Sequence, residues 1–253
     1  MSPRAPDPSS PRPLDRALSL PLLEIAYRIA TLDLSPEQRS SQLTIALREH
    51  TTDADAETRL KWAVSRIWTN PPEPSAEMIG WAIDHSEHFP DRRLMHAGAL
   101  LATVPFVGTT LAHLGRSFSL DQTLTVPDLR RRLVARWGDT STVRGAAGKT
   151  VTTLRRLEIV TGGGPTSITR QPALVAGPLA AAWLVHALLL HRQATSIDVR
   201  DAADAPELFW AAPTTPDSTY PHLEQHTEAT NRRIWAHASN ALSSVPSTDR
   251  RRL

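Results

Sequence analysis

Cysteine is absent from the 253 residues. That excludes disulfides, thiolate zinc sites and a cysteine nucleophile together, and it suits a reducing compartment such as the cytoplasm. Lysine is nearly absent as well: apart from Lys61 and Lys149, the 28 basic residues are all arginine. A GC-rich genome, with its Arg, Ala and Pro codons, accounts for much of that total. The net charge is only +2, so the chain is no generic polycation. Long apolar runs are scarce. Ala173 to Leu190 stands near the minimum of about 18 residues for a membrane helix, and Gly177, Pro178 and His186 within it favour a buried core helix. Residues 1–13 are rich in Pro, Ser and Arg and lack an apolar core, which predicts a disordered leader and no signal peptide. What remains has globular composition, 40% hydrophobic and 21% charged, enough for one or two domains.

The positive charge is local. Between Asp128 and Glu158 stand Arg130, Arg131, Arg132, Arg136, Arg144, Lys149, Arg155 and Arg156 against Asp128, Asp139 and Glu158. A phosphate-facing surface needs such clustering. The pattern there predicts a helix, a tight turn, a basic helix and a glycine-rich hairpin. Thr125 and Asp128 form a capping-box start, Leu129, Leu133 and Trp137 recur at helical spacing, and Gly138 stops the helix. A second helix from Thr142 to Leu157 carries Val143, Ala147, Val151 and Leu154 on one face. Arg144, Gly145, Lys149, Thr152 and Arg156 lie on the other, with Gly148 beside them. Glycine costs a helix up to about 1 kcal/mol relative to alanine, so Gly145 and Gly148 make sense where that face must approach something closely. Thr140, Ser141 and Thr142 put hydroxyls and free amides at the helix start, a phosphate-binding position. Ile159 to Thr161 and Ser167 to Arg170 flank Gly162-Gly163-Gly164-Pro165, a hairpin signal.

The rest reads as helices. Residues 14–70 form an N-terminal helical region of three, over Pro21 to Leu32, from Ser35-Pro36-Glu37-Gln38 onward, and from Asp53 or Asp55 to Trp68. Asn70-Pro71-Pro72-Glu73-Pro74 breaks the chain. Residues 75–172 hold the basic unit with its preceding helices: one capped by Ser75, then the apolar segment Leu94 to Leu114 interrupted by Pro105. Residues 173–242 are expected to be a mainly helical C-terminal region. It comprises Ala173 to Arg192, a short strand at Ser196 to Val199, helical turns from Asp201 to Trp210, and either a helix around Ile234, Ala238 and Leu242 or a strand pair. Residues 243–253 are a polar, disordered tail. No internal repeat is evident.

Other chemistries fall away. Gly148-Lys149-Thr150 resembles the end of a phosphate-binding loop, but Val143 occupies the position of the required earlier glycine. His222 and His226 miss the zincin spacing, and His85 with His88 reads as a surface pair sharing a helix face, as His222 and His226 do. No catalytic dyad, nucleophile elbow, cofactor or metal site is expected.

Thr125 to Arg170 resembles a winged helix-turn-helix domain. The expected fold is therefore mainly α, a helical bundle with a central winged helix-turn-helix and one short β-hairpin. A more distant resemblance covers His96 to Leu190: Val104-Pro105-Phe106, Gly115-Arg116, Trp137 to Val143 and the Thr153-Leu154 helix are similar to the small accessory A protein of bacterial BREX phage-exclusion systems. It implies DNA binding in a phage-defence locus without catalysis. The expected partner is double-stranded DNA, with other proteins of a defence or regulatory complex beside it. Thr142, Arg144, Lys149, Thr152 and Arg156 would face the major groove, and Arg131 and Arg170 would contact phosphates. The alternative is a protein–protein interaction module using the same fold without DNA contact.

Overall fold

The computed structural model describes residues 13–120, 123–162, 164, 166–212, 214–228 and 232–238. The expected leader, save Pro13, and the expected tail lie outside these residues. Three helices open the fold: α1 (Leu20–Ala30), α2 (Pro36–Leu47) and α3 (Ala54–Trp68). Ser35 and Gln38 cap α2 reciprocally, the Ser35 N–H donating to Gln38 Oε1 at 2.8 Å, and Asp53 caps α3 through the Ala56 N–H at 2.6 Å. Next come α4 (Ser75–Asp84), α5 (Arg92–Thr103) and α6 (Pro105–Ser119). Ser75, expected to cap α4, is instead its first helical residue, and its buried hydroxyl donates to the Pro72 carbonyl. Pro105 turns α6 away from α5 by 113°. This bent pair together has the length and apolarity of a span, whereas no single described helix is long and apolar enough to cross a membrane.

The hydrophobic core continues across the Asn70–Pro74 break. The Trp68 indole N–H donates to His96 Nδ1 at 3.1 Å. Indole is a donor only, so the imidazole proton sits on Nε2, which donates to Glu24 at 2.9 Å. One buried chain of hydrogen bonds thus ties α1, α3 and α5. Trp183, fully buried, donates to the Met78 carbonyl at 2.8 Å.

Two small sheets follow, where one hairpin was expected. The first joins β1 (Leu124–Thr125), β2 (Val160–Thr161) and β3 (Ser167–Arg170) in the order β1-β3-β2, both pairings antiparallel. Between β1 and β2 run α7 (Val126–Trp137) and α8 (Ser141–Arg156). The second sheet follows α9 (Pro178–Arg192) and joins β4 (Ser196–Asp198), β5 (Leu223–Thr227) and β6 (Arg233–His237) in the order β4-β6-β5. Between β4 and β5 lie α10 (Val199–Ala203) and a 3-10 turn, Pro206–Leu208.

Several expectations are corrected here. α9 begins at Pro178, five residues late, because Gly177-Pro178 supplies a cap and a proline first turn, while Leu174 bridges to Ala211. Beyond α9 the described residues are mostly sheet and loop, not mainly helical. Of the two alternatives before the tail, the strand pair forms, as β5 and β6, in place of a helix around Ile234, Ala238 and Leu242, and Leu242 itself lies outside the described residues. The spacing of four was coincidental. The residue that is buried is Trp235, between Ile197 of β4 and Gln225 of β5, as strand alternation requires. A close approach joins the two halves: a Cβ on Gly115 of α6 would overlap the Pro206 carbonyl. Arg192 locks the same turn, donating to both carboxylate oxygens of buried Glu207 at 3.0 and 2.7 Å.

Candidate nucleic-acid interface

Local chemistry builds α7 and α8 as the sequence predicts. The Thr125 hydroxyl accepts from the Asp128 N–H at 3.2 Å and donates to the Asp128 carboxylate at 2.6 Å. Gly138 ends α7 at φ +88°, a conformation that strains any side chain. The Thr140 hydroxyl then caps α8, accepting from the Val143 N–H at 3.2 Å. Val143, Ala147, Val151 and Leu154 are buried as expected, and Ala146, Thr150 and Thr153 join them. The added threonines have a structural reason at Thr153, whose hydroxyl accepts from the Leu18 N–H at 2.9 Å and so seats the segment before α1 against α8. Arg155 holds the hairpin down, donating to the Ser167 carbonyl at 2.6 Å.

The exposed side of α8 holds Ser141, Thr142, Arg144, Gly145 and Lys149. A Cβ on Gly148 would meet nothing within 4 Å, and one on Gly145 would meet only the Lys149 ammonium at 4.0 Å. Packing within the described chain therefore asks for neither glycine. Arg144 pairs with Asp139 at 2.8 Å, with both side chains more than half exposed. Arg131 on α7 pairs with Asp128. The Thr125 hydroxyl first, and Arg131 with it, hold the Asp128 carboxyl below the usual carboxylate range.

The remaining expected contacts sit differently. Thr152 is half-buried, and its hydroxyl donates to the Gly148 carbonyl at 2.9 Å. Arg156 is exposed but donates to the Ala17 carbonyl at 3.2 Å and lines a surface groove with Arg92 and Arg93. Arg170 stands at the base of the hairpin, opposite Val160, and donates to the Phe209 carbonyl at 2.8 Å. It is therefore not at the hairpin tip. Thr142, Arg144 and Lys149 are thus brought to one open stretch, while Arg156 and Arg170 are drawn to carbonyls elsewhere. The groove around Arg156 was not legible, because Arg92 and Arg93 arrive from α5 with no motif to connect them.

The histidine pairs dissolve as helix-face pairs. His85 and His88 stack against Trp81, with ring centroids at 4.6 and 6.0 Å. His226 lies in β5 beside Glu224, and His222 turns toward His186 at 5.5 Å. Among the described residues no group of three or more His, Asp or Glu side chains is arranged to hold a metal ion. Comparison with protein families, characterised proteins and solved structures finds no match to this chain.

Proposed function

We propose that this chain is a non-enzymatic, double-stranded DNA-binding protein of the cytoplasm, serving as a regulator or as a component of a phage-defence system. The observation that carries this reading is the pair Gly145 and Gly148. Both weaken α8, neither is required by internal packing, and both lie among Thr142, Arg144 and Lys149. Glycine on that side admits a groove wall or phosphate backbone that a side chain would hold off. The order α6, β1, α7, α8, β2, β3, with β3 central in its sheet, supports the winged helix-turn-helix reading and, with it, major-groove entry by α8. The local excess of arginine supports phosphate contact. The phage-defence setting rests on the resemblance over His96 to Leu190.

The test is binding to duplex DNA titrated against salt. Neutralising roughly four to six phosphates gives a log–log slope on the order of −4 to −5. No binding at low salt would overturn the reading in favour of a protein–protein module, for which exposed Ile45 and Trp62 on the N-terminal helices would be the first surface to examine.

A further inference from the structure

A cleft of about 300 Å³ opens between α9 and the second sheet, remote in sequence from α8. Ala181 and Leu184 of α9 form its floor, and Ala202 and Ala211 one side. The sheet closes over it. Gln225 pairs directly with Trp235, and Arg233 lies two residues along β6, so strand alternation puts all three on one face, and all three line the cleft. The short alanine side chains leave the space open: among the described residues no larger group fills the gap between helix and sheet.

Three features give this space a chemical character. Its described lining contains no acidic side chain, and Arg233 is its one cation. Arg233 is exposed and makes no hydrogen bond or ion pair among the described residues, whereas the neighbouring Arg232 pairs with Asp198 at 2.8 Å. Trp235 is 2% exposed, yet its indole N–H finds no acceptor among the described residues. Buried donors are nearly always satisfied, so an orphan beside a cleft calls for an explanation. Apart from Gln225 and the hydroxyls of Thr214 and Thr215, the rest of the lining is apolar, the common character of small-molecule sites. A cavity of about 150 Å³ lined by aliphatic side chains takes benzene, so this one has room for a fused bicyclic ring or a medium alkyl chain.

We infer that the cleft binds a small apolar carboxylic acid. The ring or chain lies against the alanines, and the carboxylate reaches Arg233 and Gln225. A planar carboxylate matches the guanidinium fork. A phosphate dianion carries a second charge that the single cation of the lining leaves unpaired. This inference does not depend on DNA binding.

Calorimetric titration of the full chain with 2-naphthoate and with its uncharged counterpart 2-naphthamide tests it. A ligand of this size in a well-formed site gives a dissociation constant on the order of 10–100 μM. 2-Naphthoate should therefore saturate one site in that range, with 2-naphthamide about tenfold weaker. Arg233→Gln should weaken 2-naphthoate about tenfold and leave 2-naphthamide unchanged, since the removed interaction is with the charge. Ala202→Leu, which fills the cleft, should abolish both if its far-ultraviolet circular dichroism matches the parent; if it misfolds, Arg233→Gln carries the test alone, because that side chain is exposed. Absence of saturable binding overturns the inference. So does unchanged 2-naphthoate affinity in Arg233→Gln, or continued binding of both probes by a folded Ala202→Leu.

Discussion

The sheets β1-β3-β2 and β4-β6-β5 share a strand order, and each is preceded by a fifteen-residue helix, α6 or α9. In both, a short strand leads through a helical insert to a hairpin whose last strand takes the centre. The inserts differ. α7 and α8 run for twelve and sixteen residues, long enough for α8 to bury one face and present another. α10 has five residues and is followed by a 3-10 turn, too short to offer a face of its own. Charge diverges in the same way. The first insert is rich in arginine; Ser196 to Leu208 carries Asp198, Asp201, Asp204 and buried Glu207 against Arg200 alone, the opposite balance of charge. One plan therefore yields an exposed basic helix in one unit and encloses a cleft in the other, according to insert length and to where the polar side chains fall.

Substitution in each unit separates packing from surface. Trp235→Ala removes a buried indole from the second sheet and should cost about 3–5 kcal/mol of stability, with unchanged DNA affinity. Arg144→Ala should do the reverse: it should leave stability within about 0.5 kcal/mol and weaken specific DNA binding by about 1–3 kcal/mol if the side chain reads a base edge. Urea unfolding and DNA titration of both variants measure all four quantities. A Trp235→Ala protein that melts with the parent would remove the distinction between the two units.

Acid sharpens the comparison. Leu124 to Arg170 contains no histidine, whereas buried His186 of α9 shares a 2.9 Å hydrogen bond with Tyr220 and lies against His222 and His237. Burial first, and the neighbouring imidazoles with it, push His186 down to about 3. Its folded value lies below its unfolded one, so the unfolded chain takes up the proton first. The stability tied to neutral His186 is complete above pH 6.5 and is lost as pH falls below it. At about 1.36 kcal/mol per pH unit, the loss should reach about 2 kcal/mol by pH 5. His96 adds a loss of the same sign, because burial disfavours its charged form, and protonation would also turn a second N–H toward the Trp68 indole N–H. Amide exchange at pH 5 should accordingly rise in β4 to β6 before β1 to β3, and His186→Gln should flatten the pH dependence. Equal loosening of both sheets would mean that the buried histidine does not set the difference.

The first unit was readable because its signals are local. Thr125, Gly138 and Thr140 mark boundaries through contacts within a few residues, and α8 runs long enough for a period of 3.6 to separate Val143 and Leu154 from Arg144 and Lys149. The second sheet offers strands of three to five residues, and its register depends on pairing Ile197 with Trp235, 38 positions apart in sequence. No local pattern carries that. The same limit applies within the candidate interface. Helical spacing identifies Arg156 as exposed, but its carbonyl partner at Ala17 lies 139 residues away, and that of Arg170 lies 39 residues away. Exposure was legible, whereas the bonds these side chains make were not.

The smallest effect bears most directly on which way the first unit faces. Gly145→Leu places a good helix former where glycine costs up to about 1 kcal/mol. Its Cβ would meet only the flexible end of Lys149, so nothing in the fold opposes the gain. Stability should rise by about 0.5–1 kcal/mol, measured by urea unfolding. DNA affinity should fall at the same time, because the isobutyl group stands where a groove wall is to come close. Opposite signs from one exposed substitution are hard to obtain unless that side of the helix meets a partner. A variant that gains stability and binds DNA as tightly as the parent would make α8 an ordinary solvated helix, and the shared sheet plan would then lack an outward-facing member.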